Sequence, residues 1–354
     1  MSKIGIMSMQ RIRNYGSFMQ AYALKKIVES LGNEVEFIDY KFEKSLLPDN
    51  NELISKIKNN LNIIQFIKKR RSIKRFAEAY DNLFLPEMEI NELNYNKNID
   101  TLIIGSDEVF NCLQPYPVGY SRNLFGFEYD KSNIISYAAC FGHTTYEMLE
   151  KYNIVNEISN FLLNFKAISV RDNNSKDIVY KLTNKVPEIN LDPVLIYNFD
   201  DRKSVDVNIK NYIILYAYSG RLNSREEKYI KRFAKKHNKK ILSLGSYQKI
   251  ADEIKIVHPL ELFSYFEKAD FVITDTFHGS IFAIKTKTNF CTIIRKSNSN
   301  KLTDLLKKLS LENRMVNNLE DIESLFNLQT DFNKTYSILE EEQKKAIVFL
   351  KNNI

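Results

Sequence analysis

What most constrains this chain is the alternation of short apolar runs with amphipathic segments along nearly all of its length. Candidate strands fall at 3–8, 34–39, 101–105, 134–139 and 166–170, then at 211–217, 240–244, 270–274 and 290–294. The segments between them repeat at helical spacing. Leu24, Ile27, Val28 and Leu31 stand one helical face apart, with Gly32 as a stop. Ile230, Phe233, Ala234 and His237 do the same, and Ser224 with Glu227 supplies a capping-box spacing. Strands that alternate with helices build parallel sheets covered on both faces. The expected fold class is α/β, with two Rossmann-like domains whose parallel sheets face a cleft. A break near 195–210 divides the chain into an N-terminal domain, 1–200, and a C-terminal domain, 201–354. The last helix, about 337–352, is expected to pack back onto the first domain.

Composition narrows the function. The 44% of hydrophobic residues supports a sizeable core. Lys plus Arg is 51 against 44 for Asp plus Glu, a formal charge of +7. That surplus is too small and too dispersed for a nucleic-acid binder, but it favours anionic substrates or surfaces. Cys112, Cys140 and Cys291 show no CxxC spacing, so no disulfide framework and no zinc site are expected. No apolar run is long enough to span a bilayer and no signal peptide stands at the start, so a cytoplasmic protein is expected. One segment, 54–80, is strongly basic. It contains KKRRSIKR (68–75) and apolar stripes at Ile57, Leu61 and Ile64, then Ile73, Phe76, Ala77 and Tyr80. It reads either as a peripheral contact with anionic lipid at the inner face of the membrane or as a solvated helix packed by its apolar stripe.

In open α/β sheets, ligands bind at the carboxyl ends of strands, so the residues just past each strand matter most. After the first strand, Asn14 and Gly16 suit a tight turn and Ser17 can cap the following helix, which makes an anion site or a plain turn. After the third, Gly105 and Ser106 precede Asp107 and Glu108. Asp107 orients a hydroxyl, acts as a base or is merely an N-cap. After the fifth, Arg171 can reach the cleft and grip a phosphate or carboxylate, or pair with Asp172 on the surface. The sharpest site is ADFVITDTFHGSIFAI (269–284). There His278, free N–H groups and the Ser280 hydroxyl converge at a helix start. Arg295 and Lys301 follow in a basic loop, while His143, His237 and His258 read as local caps or loop residues.

Taken in order, these pieces resemble the polysaccharide pyruvyl transferase family. The matching segments are NYGSFMQAYALKKIVESLG (14–32), IDY (38–40), IGSDEVFN (104–111), SYAACFG (136–142), ISVRD (168–172), LDPV (191–194), TDTFHGSIFA (274–283) and the loop to Lys301. The resemblance implies a GT-B-like fold, phosphoenolpyruvate as donor, and a sugar acceptor, lipid-linked or polymeric, that becomes a pyruvate ketal. No cofactor or metal is implied. His278, Asp107 and Arg171 become the catalytic candidates. Arg171, Gly279, Ser280, Arg295 and Lys301 fall on the donor side. Asn14, Tyr15, Gly16, Ser106, Asp107 and Glu108 fall on the acceptor side. Two rivals remain: a GT-B-type glycosyltransferase using a nucleotide sugar, and a non-catalytic glycan-binding relative.

Overall fold

The computed structural model describes residues 1–43, 45–47, 63–114 and 118–354. Twelve strands form two six-stranded sheets. The first holds β1 (Lys3–Met7), β2 (Glu34–Phe37), β3 (Thr101–Ile104), β4 (Asn133–Ala139), β5 (Ala167–Val170) and β6 (Glu188–Ile189). The second holds β7 (Tyr212–Tyr216), β8 (Lys240–Leu244), β9 (Glu253–Lys255), β10 (Phe271–Thr274), β11 (Phe290–Ile293) and β12 (Met315–Val316). Every pairing is parallel. Parallel strands need crossovers, and these are the helices the periodicity predicts. Those that build the site are α1 (Tyr15–Ser30), α2 (Ile63–Ala79), α3 (Asn173–Thr183), α4 (Pro193–Ile196), α5 (Ser224–Lys236), α6 (Phe277–Lys285), α7 (Ser299–Lys308) and α8 (Asn333–Asn353).

The strand orders locate the functional edge. The first sheet runs β2-β1-β3-β4-β5-β6 and the second β12-β11-β10-β7-β8-β9. Each order reverses once, between β1 and β3 and between β7 and β10. At such a switch point neighbouring loops leave toward opposite faces and open a crevice. The strand ends flanking both crevices carry the segments singled out above, and they face each other. This is the doubly wound, two-lobe α/β fold of GT-B type.

The lobes share one core. Its cluster joins Ile4, Phe18 and Tyr22 of the first lobe to Phe263, Ile281 and Phe282 of the second, with Phe349 of α8 added. Phe349 meets Tyr137 of β4 at 6.3 Å, and Gln343 donates to the Ile196 carbonyl at 2.6 Å. Thus α8 lies against the first lobe. Separate apolar clusters cover the outer faces of the two sheets.

Local detail differs from the sequence reading at several caps. Helix α1 is capped by Asn14, whose side chain accepts from the Ser17 N–H, so Ser17 sits inside the helix. In α5 the capping box is Asn223 with Glu226, one residue before the expected pair, because the Glu226 side chain reaches back to the Asn223 N–H. The short strands β6, β9 and β12 carry no periodicity and are absent from the sequence reading. Ile57 and Leu61 of the basic segment lie outside the described residues, as does the side chain of Ile64. Among the described residues no helix is long and apolar enough to cross a membrane.

One contact ties the lobes directly. The buried Tyr15 hydroxyl donates to the Val257 carbonyl at 2.7 Å and accepts from the Val257 N–H at 2.8 Å. Tyr15→Phe leaves both backbone groups without that partner, at about 1–3 kcal/mol per buried group. Urea unfolding is expected to show that loss, and an unchanged midpoint would contradict it.

Candidate active site

The site begins with two helix N-termini. Helix α1 follows β1 and α6 follows β10, and they meet where the lobes face each other. Their approach depends on Gly16, since a Cβ there would stand 2.2 Å from His278 Nδ1. Thr276 caps α6 by accepting from the Gly279 N–H at 2.9 Å, which places His278 in the first helical turn. A helix start presents N–H groups without intrahelical partners and a partial positive charge.

Between the lobes lies a polar cavity of about 320 Å³. Its first-lobe wall includes Asn14, Ser17, Asp107, Glu108 and His143. Its second-lobe wall includes Tyr218, Arg221, Thr276, Phe277, His278 and Lys301. Asp107 is held in place from two sides. Its carboxylate accepts from the Ser17 hydroxyl at 3.1 Å and from Arg171 at 3.4 Å. Its φ of 77 is unusual for a residue with a side chain. Such backbone strain concentrates at functional positions.

Beneath His278 lies Asp192, fully buried at the start of α4. Its Oδ2 accepts from Arg171 at 2.7 Å and stands 3.5 Å from His278 Nε2. The latter is an ion-pair distance, and Nε2 has no formed hydrogen bond. Burial pushes the Asp192 carboxyl up, but His278, Arg171 and the Val194 N–H outweigh it and bring it down to about 2. Glu108 behaves alike. Burial opposes its charge, yet Lys301, Asn111 and Arg171 hold it at about 2. The Lys301–Glu108 pair crosses between the lobes at the cavity wall.

Several candidates from the sequence take other places. Arg171 does not line the polar cavity. Its terminal nitrogens hold Asp192 and Asp107, and its guanidinium stacks 4.2 Å from the Phe277 ring centre. Arg295 is turned away too, onto Asp275 at 3.0 Å and both oxygens of Glu226. Ser280 is fully buried, with its hydroxyl on Thr292 and the Thr276 carbonyl. Ser106 is likewise buried beneath the wall, beside Asp192. Gly279 packs under Thr274 and Thr276, and the Tyr15 hydroxyl is taken by Val257. Asp107 caps no helix, whereas Asp172 does, accepting from the Ser175 N–H. The structure brings together Asn14, Asp107, Glu108, His278 and Lys301.

Two cavity-wall residues, Arg221 and Tyr218, and the buried Asp192 beneath His278 escaped the sequence reading. Arg221 and Tyr218 lie just past β7, at the second switch point, where topology was the only signal. Arg221 stacks on Tyr218 at 4.6 Å and donates to the Asp275 carbonyl. Asp192 was in plain view within LDPV, but nothing local marks an Asp before Pro as more than a cap. Among the described residues no group of three or more His, Cys, Asp or Glu side chains could hold a metal ion.

The family model for polysaccharide pyruvyl transferase matches residues 14–297, most of the chain and every wall residue named above except Lys301. The chain belongs to the polysaccharide pyruvyl transferase family. Solved structures resemble it at low identity. The UDP-GlcNAc 2-epimerase of Methanocaldococcus jannaschii is 10% identical, with TM-score 0.49 and 99% of each chain covered. That of Neisseria meningitidis, bound to UDP-GlcNAc, is 9% identical, with TM-score 0.47, 98% of this chain covered and 94% of that one. An O-GlcNAc transferase mutant of Thermobaculum terrenum is 10% identical at TM-score 0.43. There 99% of this pyruvyl transferase family member is covered, but it spans only 64% of the other chain. No curated protein matches.

Acid should loosen this family member through its depressed carboxyls. The folded value of Glu108 lies below its ordinary 4.5, so its contribution is complete above that pH and disappears as pH falls toward about 2. Melting temperature is expected to drop through this window, and Glu108→Gln should flatten the drop. A variant profile parallel to the wild type would contradict the Lys301–Glu108 account.

Proposed function

We propose that this protein transfers the enolpyruvyl-derived group of phosphoenolpyruvate onto two hydroxyls of a sugar, forming a pyruvate ketal and releasing phosphate. The acceptor is a surface polysaccharide or its lipid-linked precursor. One observation carries the reading. The His278 imidazole, backed by buried Asp192, lines a cavity that also holds Lys301, Arg221 and Asp107. Phosphoenolpyruvate carries a phosphate and a carboxylate, and the two cations with the start of α6 suit both.

The chemistry follows from these positions. His278, as imidazolium, gives a proton to the methylene carbon, whose π electrons form the new C–H bond. Asp192 holds the ring and offsets its charge. The adjacent carbon becomes electron-poor and bonds to the first sugar oxygen, while Asp107 takes that hydroxyl's proton. The C–O bond to phosphate then breaks toward Lys301 and Arg221, which stabilise the leaving dianion. The second sugar oxygen closes the ketal. Of the two hydroxyl protons, one balances the proton given by His278 and the other leaves on phosphate. Arg171, placed by sequence on the donor itself, becomes a positioning residue that fixes Asp107 and Asp192.

Phosphoenolpyruvate should raise the melting temperature of the wild type, and Lys301→Met should abolish the rise. With acceptor present, phosphate release should fall by about 100-fold or more in His278→Ala, the usual weight of a positioned acid. Full turnover in that variant, or transfer from a nucleotide sugar instead of phosphate release, would sink the proposal.

A further inference from the structure

The polar cavity continues into an aromatic one of about 410 Å³. The two share Ile12, Asn14, Tyr218, Thr276 and His278. The outer wall of the aromatic cavity is α2, through Ser72, Ile73, Phe76 and Ala77. Past Ser72 and Tyr247, common to both, lies a third groove of about 250 Å³ between α2 and the edge of the second sheet. A trough therefore runs from His278 to this edge.

The groove is built asymmetrically. One side is Lys68, Arg71, Ser72 and Arg75, and the other is Tyr247, Ile254 and Ile256. Positions 68, 71, 72 and 75 are a single stripe of a helix. Among the described residues Lys68, Arg71 and Arg75 have no ion-pair partner. Lys69 and Arg70 on the same helix also show no ion pair among the described residues but do not line the groove, whereas Lys74 faces Glu78 at 3.7 Å and Arg13 holds Asp81. The stripe spans seven residues, about 10 Å along the helix, more than one phosphate group bridges. A diphosphate can meet both ends, and its ester group then has an apolar wall to lie against.

We propose that this stripe binds the diphosphate of a glycosyl diphosphate, whose sugar lies in the aromatic cavity and reaches the polar one. The sugar's placement rests on the pyruvyl transfer reading above, whereas the diphosphate site rests on the groove alone. The ester group is either a polyprenyl chain or a nucleoside, since both present an apolar face to Tyr247 and Ile254. Tyrosine faces such as Tyr218 suit the apolar side of a sugar ring.

The full-length protein is titrated by calorimetry with farnesyl diphosphate and, separately, with uridine diphosphate. At least one should bind, with affinity about tenfold weaker in Arg71→Glu/Arg75→Glu, a change of about 1.4 kcal/mol, and unchanged in Lys301→Met. Binding of the farnesyl probe assigns a lipid carrier, and binding of the uridine probe assigns a nucleotide carrier. Both substituted arginines are exposed, and an unchanged melting temperature checks the fold. Failure of both probes to bind, or a loss in Lys301→Met but not in the arginine variant, overturns the site. The phosphoenolpyruvate shift is measured on the same samples. Its absence alongside diphosphate binding would remove the donor reading and leave this groove standing.

Discussion

The candidate active site is organised around one buried carboxylate. Asp192 has no exposure and lies between Arg171 of the first lobe and His278 of the second. A buried charge is costly unless it is paired and hydrogen-bonded. Arg171 and the Val194 N–H meet that condition from within the first lobe, and His278 faces the same carboxylate at 3.5 Å when the lobes are together. The carboxylate that the first lobe satisfies thus stands against the imidazole that the second lobe brings to the cavity.

Steric permission comes from a single missing methyl group. With any side chain at residue 16, the start of α1 would collide with the imidazole of α6. Gly16 is helical, so its value is closeness rather than unusual torsion angles. The approach puts two helix starts, each with partial positive charge, beside one cavity. The first lobe then contributes the carboxylates Asp107 and Glu108, and the second contributes Arg221 and Lys301. Neither lobe alone carries both the carboxylates and the cations that line this cavity.

The cations divide by what they face. Arg171 and Arg295 are used up on carboxylates and work as struts. Lys301 reaches the cavity, yet its charge is balanced across the cleft by Glu108, so an incoming anion must share it. Among the described residues Lys68, Arg71 and Arg75 have no ion-pair partner along one helical stripe. The donor chemistry is proposed for the cavity, and the stripe and the aromatic walls are proposed for what the acceptor carries.

Sequence alone determined the alternation of strands and helices, hence two parallel sheets, because side-chain period is set by local backbone geometry. It also determined that Asn14, Asp107 and His278 lie just past strands, and that His278 opens a helix. It could not reach β6, β9 and β12, whose two or three residues hold no period and depend on a neighbouring strand. It could not tell Arg295, spent on Glu226, from Lys301, which reaches the cavity, since both stand in one basic loop. It passed over Asp192, whose partner His278 is far away in the chain. Arg221 and Tyr218 were hidden for a like reason: only the reversal of strand order between β7 and β10 makes that loop a wall. Charge pairing and cavity lining are properties of space between lobes, and they exist only once both sheets have folded and met.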